Sequence, residues 1–123
     1  MKKRYAAHYI LLSPDRIFKQ HYIELDNDNK IMKIARLDEE IENTCFYNGI
    51  LFPSSSENIN RQTLIDLDIK WNFKEAIDVL FKSGIVASEN ANNVFIYHLD
   101  GINLSPTKFR TSNGGSHGHI QRL

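Results

Sequence analysis

Between Tyr5 and Pro53, apolar and polar residues alternate in four successive runs broken by turn-forming residues. A period of two is the period of side chains along a strand, and a helix cannot bury it on one face. The runs are Tyr5–Leu12, Ile17–Leu25, Lys30–Leu37 and Cys45–Phe52. Ser13-Pro14-Asp15 joins the first two. Proline presets φ for the first central position of a turn, and strands of similar length flank it, so a hairpin is expected. Asp26-Asn27-Asp28-Asn29 closes a second turn, where Asn29 is the residue best suited to a left-handed backbone. In the second run Ile17, His21, Ile23 and Leu25 share one parity, and Phe18, Tyr22 and Glu24 share the other. Both faces of that strand therefore carry apolar bulk.

The second half changes character. Ser54–Gln62 is polar and reads as a loop, and Thr63–Ile69 fits a strand and a helical turn almost equally well. Phe73–Ser83 is the clear helix. Asn72 is a good N-cap, and Glu75 stands three residues on, where a capping-box carboxylate reaches back. Phe73, Ile77, Leu80 and Phe81 fall on one stripe, Lys82 occupies the last turn and Gly84 supplies the stop. Val94–Leu99 predicts another strand, followed by a turn at Asp100-Gly101. The expected class is mainly β with one main α-helix, six to eight strands forming a small β-sandwich or partly open barrel.

The chain has 123 residues, enough for one domain, and 41% of them are hydrophobic, enough for a real core. Lysine plus arginine and aspartate plus glutamate each number 15, giving zero formal charge. A nucleic-acid partner would call for a basic excess, and a membrane surface for a basic amphipathic helix. Neither is expected. The single cysteine, Cys45, rules out an intrachain disulfide, and in its apolar context it is expected to be a small buried hydrophobe. Lys2-Lys3-Arg4 before Tyr5–Leu12 imitates a signal peptide, but the run stops at Ser13-Pro14-Asp15 without a small-residue cleavage site. The expected location is cytoplasmic.

Candidate chemistry is sparse. His117-Gly118-His119 would put two imidazoles on one face of an extended backbone and is the one metal candidate. It lacks further ligands nearby in sequence. Asp26–Lys30 begins like a calcium loop but has Ile31 and Leu37 where glycine and glutamate belong. Asp38, Glu39, Glu40 and Glu42 read as a solvated acidic cluster. Trp71 reads as core. Asn113-Gly114-Gly115-Ser116 lacks the lysine and the helix that a phosphate loop needs.

The four runs ending in Gly49-Ile50-Leu51-Phe52-Pro53, with Asp100–Leu104, Lys108-Phe109-Arg110 and Ile120–Leu123 behind them, resemble the two ends of the amidohydrolase superfamily. These are the cytosine-deaminase-like metal-dependent hydrolases. The resemblance covers roughly residues 5–53 and 94–123 and rests on pattern and strand order. In that family both chain ends build a β-sandwich, and the apolar strand with its proline leads into a barrel strand ending in a metal-binding His-x-His. Here Pro53 is followed by Ser54-Ser55-Ser56-Glu57-Asn58, and the chain is far shorter than the about 250 residues of a (β/α)8 barrel. The resemblance thus implies the composite domain alone. Residues 1–53 would give its N-terminal strands, 54–93 a loop and helix in place of the barrel, and 94–123 the returning strands. It implies a non-catalytic binding or structural module without a cofactor. An apolar surface that once met the barrel would pair it with a second copy, as a homodimer, or with an unidentified protein. Two alternatives stand beside it: a small metal-dependent hydrolase using His117 and His119, and the sandwich subunit of a split amidohydrolase.

Overall fold

The computed structural model describes residues 3–37, 44–68, 72–88, 91, 93–101 and 119–123. Within them the chain is mainly β. The strands are β1 (Lys3–Ser13), β2 (Arg16–Leu25), β3 (Ile31–Arg36), β4 (Thr44–Ser54), β5 (Phe95–Asp100) and β6 (His119–Arg122). Two helices, α1 (Arg61–Asp66) and α2 (Phe73–Lys82), lie between β4 and β5. All six strands join one sheet in the order β3-β2-β1-β4-β5-β6, open at β3 and β6. Strands from both ends of the sequence therefore share one sheet. The β1–β4 pair is parallel and every other pair is antiparallel.

Local chemistry accounts for most boundaries. Pro14-Asp15 turns β1 into β2, with Ser13 opposite Arg16. Asp26 Oδ1 accepts from the backbone N–H of Asp28 and of Lys30, and Asn29 takes the left-handed backbone at φ +59°. Asn72 Oδ1 accepts from Glu75 N–H at 3.0 Å and starts α2, and Gly84 follows its end at φ +77°. α1 begins at Arg61, inside the stretch expected to be loop, because Asn60 and Thr63 cap one another reciprocally.

Among the described residues, two clusters make the core. On the helix side Leu11, Ile50, Phe52, Tyr97 and Leu99 of the sheet meet Ile59, Leu64, Ala76 and Leu80. Tyr97 Oη donates to Ser56 O at 2.7 Å and accepts from Ile59 N–H at 3.2 Å. That pair of bonds ties the polar segment after β4 to the sheet and brings Ile59 into the core. The second cluster holds Ala7, Ile10, Leu12, Ile23, Leu25, Leu51, Val94 and Ile96. The sheet curls over it far enough that Val94 N–H donates to Asn29 O at 2.8 Å, joining the β2–β3 turn to the start of β5.

The curl passes through a line of irregularity across three strands. Gln20 in β2 has φ +56°. Phe18 and His21, three residues apart, would face opposite ways in a regular strand, yet their rings lie 4.8 Å apart. The expectation that Ile17, His21, Ile23 and Leu25 share a face is corrected accordingly. Ile17 packs with the helix-side cluster, and Ile23 and Leu25 pack in the other. Across β1, the β4 register shifts: Ala7 pairs with Tyr47 and Tyr9 with Ile50, so β4 carries one extra residue. Gly49 in this bulge has φ +102°. Two histidines satisfy the backbone groups there. His8 Nδ1 accepts from Gly49 N–H at 3.1 Å, and His98 Nε2 donates to Asn48 O.

Candidate interaction groove

α2 buries Ala76 and Leu80 fully, while Phe73, Ile77 and Phe81 are half-buried. One residue along an α-helix is about 100° of rotation. Ile77 and Phe81 therefore form a second row beside Ala76 and Leu80, turned from the sheet toward the β1–β2 turn. Between that row and the turn lies a groove of about 820 Å³. Its floor is Pro14 and Ile17 from the hairpin with Ile77 and Phe81 from α2. Its rim is Lys74, Glu75, Asp78 and Lys82, all exposed. The volume is within the range of sites that enclose small ligands or anchoring side chains.

The rim charges have an order. Glu75 lies in the first turn of α2 and Lys82 in the last, each at the end where the helix dipole favours its sign. Lys82 Nζ also lies 3.0 Å from Asp78 Oδ2, one turn back. Among the described residues the lining contains carboxylates and amines but no histidine, cysteine or hydroxyl. It is equipped to hold an apolar group and to pair charges around it. The sequence already carried a signal for this row, because five apolar positions, 73, 76, 77, 80 and 81, span a wider arc than one packing face needs.

The other candidates are dispersed. His117 lies outside the described residues, as do Trp71, Asp38–Glu42, Ile102–Leu104 and Lys108–Arg110. His119 opens β6, is exposed and stands opposite Asp100. Among the described residues no three histidine, cysteine or acidic side chains come close enough to hold a metal. The described histidines His8, His21 and His98 each pack against an aromatic ring, of Phe46, Phe18 and Tyr47 respectively.

Cys45 is exposed, which corrects its expected burial. It lies in the first half of β4, opposite Tyr5 and away from the helix-covered centre of the sheet. Tyr5 and Tyr47 flank it, and burial raises the pKa of both phenols above 10.0, with the Cys45 thiolate raising them further. Each phenol thus ionises later in the folded chain than in the unfolded one. Their contribution to stability is complete below pH 10 and is lost as pH rises through the folded-state values. In an ultraviolet difference titration, Tyr5 and Tyr47 are expected to ionise later than a free tyrosine. Cys45→Ser should bring them earlier, and coincident curves for the two proteins would contradict the assignment.

Among the described residues, no helix is long and apolar enough to cross a membrane. Comparison of the chain with known protein families, curated proteins and solved structures finds no match.

Proposed function

We propose that this chain is a non-catalytic binding or structural module, built on the amidohydrolase-like sandwich its sequence resembles, that holds an apolar element of a protein partner. The partner is a second copy in a homodimer or another protein. The observation that carries this reading is the groove beside α2, where Ile17, Ile77 and Phe81 leave an apolar floor inside a charged rim. A mostly apolar cleft with a few polar groups at its edge is the usual form of a site that holds a small apolar group. No cofactor enters the proposal, and its setting is cytoplasmic.

Anilinonaphthalene sulfonate, an apolar dye that brightens out of water, tests it. At low protein concentration the dye should bind, and Phe81→Ser and Ile17→Ser should each remove most of the emission while circular dichroism stays unchanged. Emission indifferent to both changes would refute the groove as the binding element. Chelator-sensitive turnover of cyclic amides or amino-pyrimidines would refute the non-catalytic part.

A further inference from the structure

We infer that Asn48 is a self-modification site: with His8 as base, the folded chain cyclises Asn48 onto the nitrogen of Gly49, releases ammonia and opens the succinimide to aspartate or isoaspartate. The surroundings of one peptide group carry the inference. The peptide bond between Asn48 and Gly49 sits in the β4 bulge between imidazoles from two other strands. Its N–H donates to His8 Nδ1 of β1 at 3.1 Å, and its carbonyl accepts from His98 Nε2 of β5. A ring nitrogen that accepts an N–H carries no proton of its own, so His8 places a base on the hydrogen that must leave. Loss of that hydrogen spreads negative charge through the amide onto Asn48 O, where the His98 N–H is aimed. Aromatic neighbours hold both rings: His8 is edge-on to Phe46 with centroids 5.3 Å apart, and His98 lies 5.0 Å from Tyr47. Asn48 is exposed, so water reaches the ring once formed, and Gly49 has no Cβ to shield its nitrogen.

The step balances within the chain and water. Gly49 N gives its proton to His8 and its electron pair to Asn48 Cγ, closing a five-membered ring. His8 returns the proton to the side-chain nitrogen as the Cγ–Nδ2 bond breaks, and ammonia leaves. Water then adds to one of the two ring carbonyls. Addition at Cγ leaves aspartate. Addition at the backbone carbonyl leaves isoaspartate, with the main chain running through Cγ and one carbon longer. Either product puts a carboxylate on the exposed half of β4, in a chain of zero formal charge.

The same dipeptide occurs once more, as Asn113-Gly114, outside the described residues, and serves as the reference. Peptide mapping by mass spectrometry follows both sites during incubation at neutral pH, in the folded chain and in guanidinium chloride. Asn48 should convert about tenfold faster folded than unfolded, less than the full effect of a general base because its side chain must still turn toward the nitrogen. His8→Asn keeps an acceptor oxygen where Nδ1 stood, which can hold the N–H but not take its proton. With native circular dichroism, that variant should bring folded Asn48 down to its unfolded rate and leave Asn113 unchanged. Asn48 converting no faster folded than unfolded overturns the inference, and this comparison decides even where the variant fails to fold. A folded His8→Asn chain that converts Asn48 as fast as the unaltered chain overturns His8 as the base.

Discussion

Gly49→Ala is expected to destabilise the chain by about 3 kcal/mol or more, a fall in Tm of about 10 °C for a domain of this size. Two independent effects add. The backbone at Gly49 has φ +102°, a conformation that residues with a Cβ rarely adopt. An alanine Cβ there would also stand 2.5 Å from Leu99 O, backbone of the strand paired to β4, which has nowhere to retreat. Displacing it breaks the β4–β5 ladder beside the contacts of His8 and His98 with the bulge. Gly84→Ala separates the effects. Gly84 has φ +77°, yet an added Cβ would meet nothing within 4 Å. It should lose only the backbone preference, about 1 kcal/mol. Thermal unfolding of the two variants is the measurement, and equal losses would show that the close approach to Leu99 does not matter.

Phe52→Ala should be at least as damaging, at about 3–5 kcal/mol. Phe52 is fully buried and stacks on Tyr97 with ring centroids 5.8 Å apart. Its removal takes away transfer energy and leaves a void between sheet and helices. It also loosens the ring whose hydroxyl holds Ser56 and Ile59. Total stabilities of domains are about 5–15 kcal/mol, so the variant should be marginally folded. Ile65→Ala, at a side chain 59% exposed, should change stability by less than about 0.5 kcal/mol. A denaturation midpoint for Phe52→Ala close to that of Ile65→Ala would mean that the helix side is not the centre of the core.

Where one residue's chemistry settles the backbone, the sequence was readable. Pro14 turns β1 into β2, Asn29 takes the left-handed position, and Asn72 starts α2 one residue on. Where the outcome depends on a strand's partner, it was not. Cys45 has the composition of a core position, yet it is exposed because the helices cover the other half of β4. The β4 bulge did leave a trace, since an isolated glycine inside an apolar run points to a bulge. Nothing in Phe18–Leu25 marks Gln20 as the place where β2 changes face. The metal candidate was legible only as a spacing: His119 lies at the exposed start of β6, and His117 is outside the described residues.

By itself the sequence determined the strand runs, the β1–β2 and β2–β3 turns and the extent of α2. These depend on φ preferences, caps and side-chain period, all set within a few residues. The tertiary structure alone decided that β4 lies parallel to β1 and that faces exchange along Gln20, His8 and Gly49. It alone decided that Ile77 and Phe81 remain beside Pro14 and Ile17 as a groove. Each of these depends on which distant backbone accepts a hydrogen bond and how far the sheet must curl to bury two clusters. A pattern of period two records that a strand has two faces, but not which neighbour will cover either one.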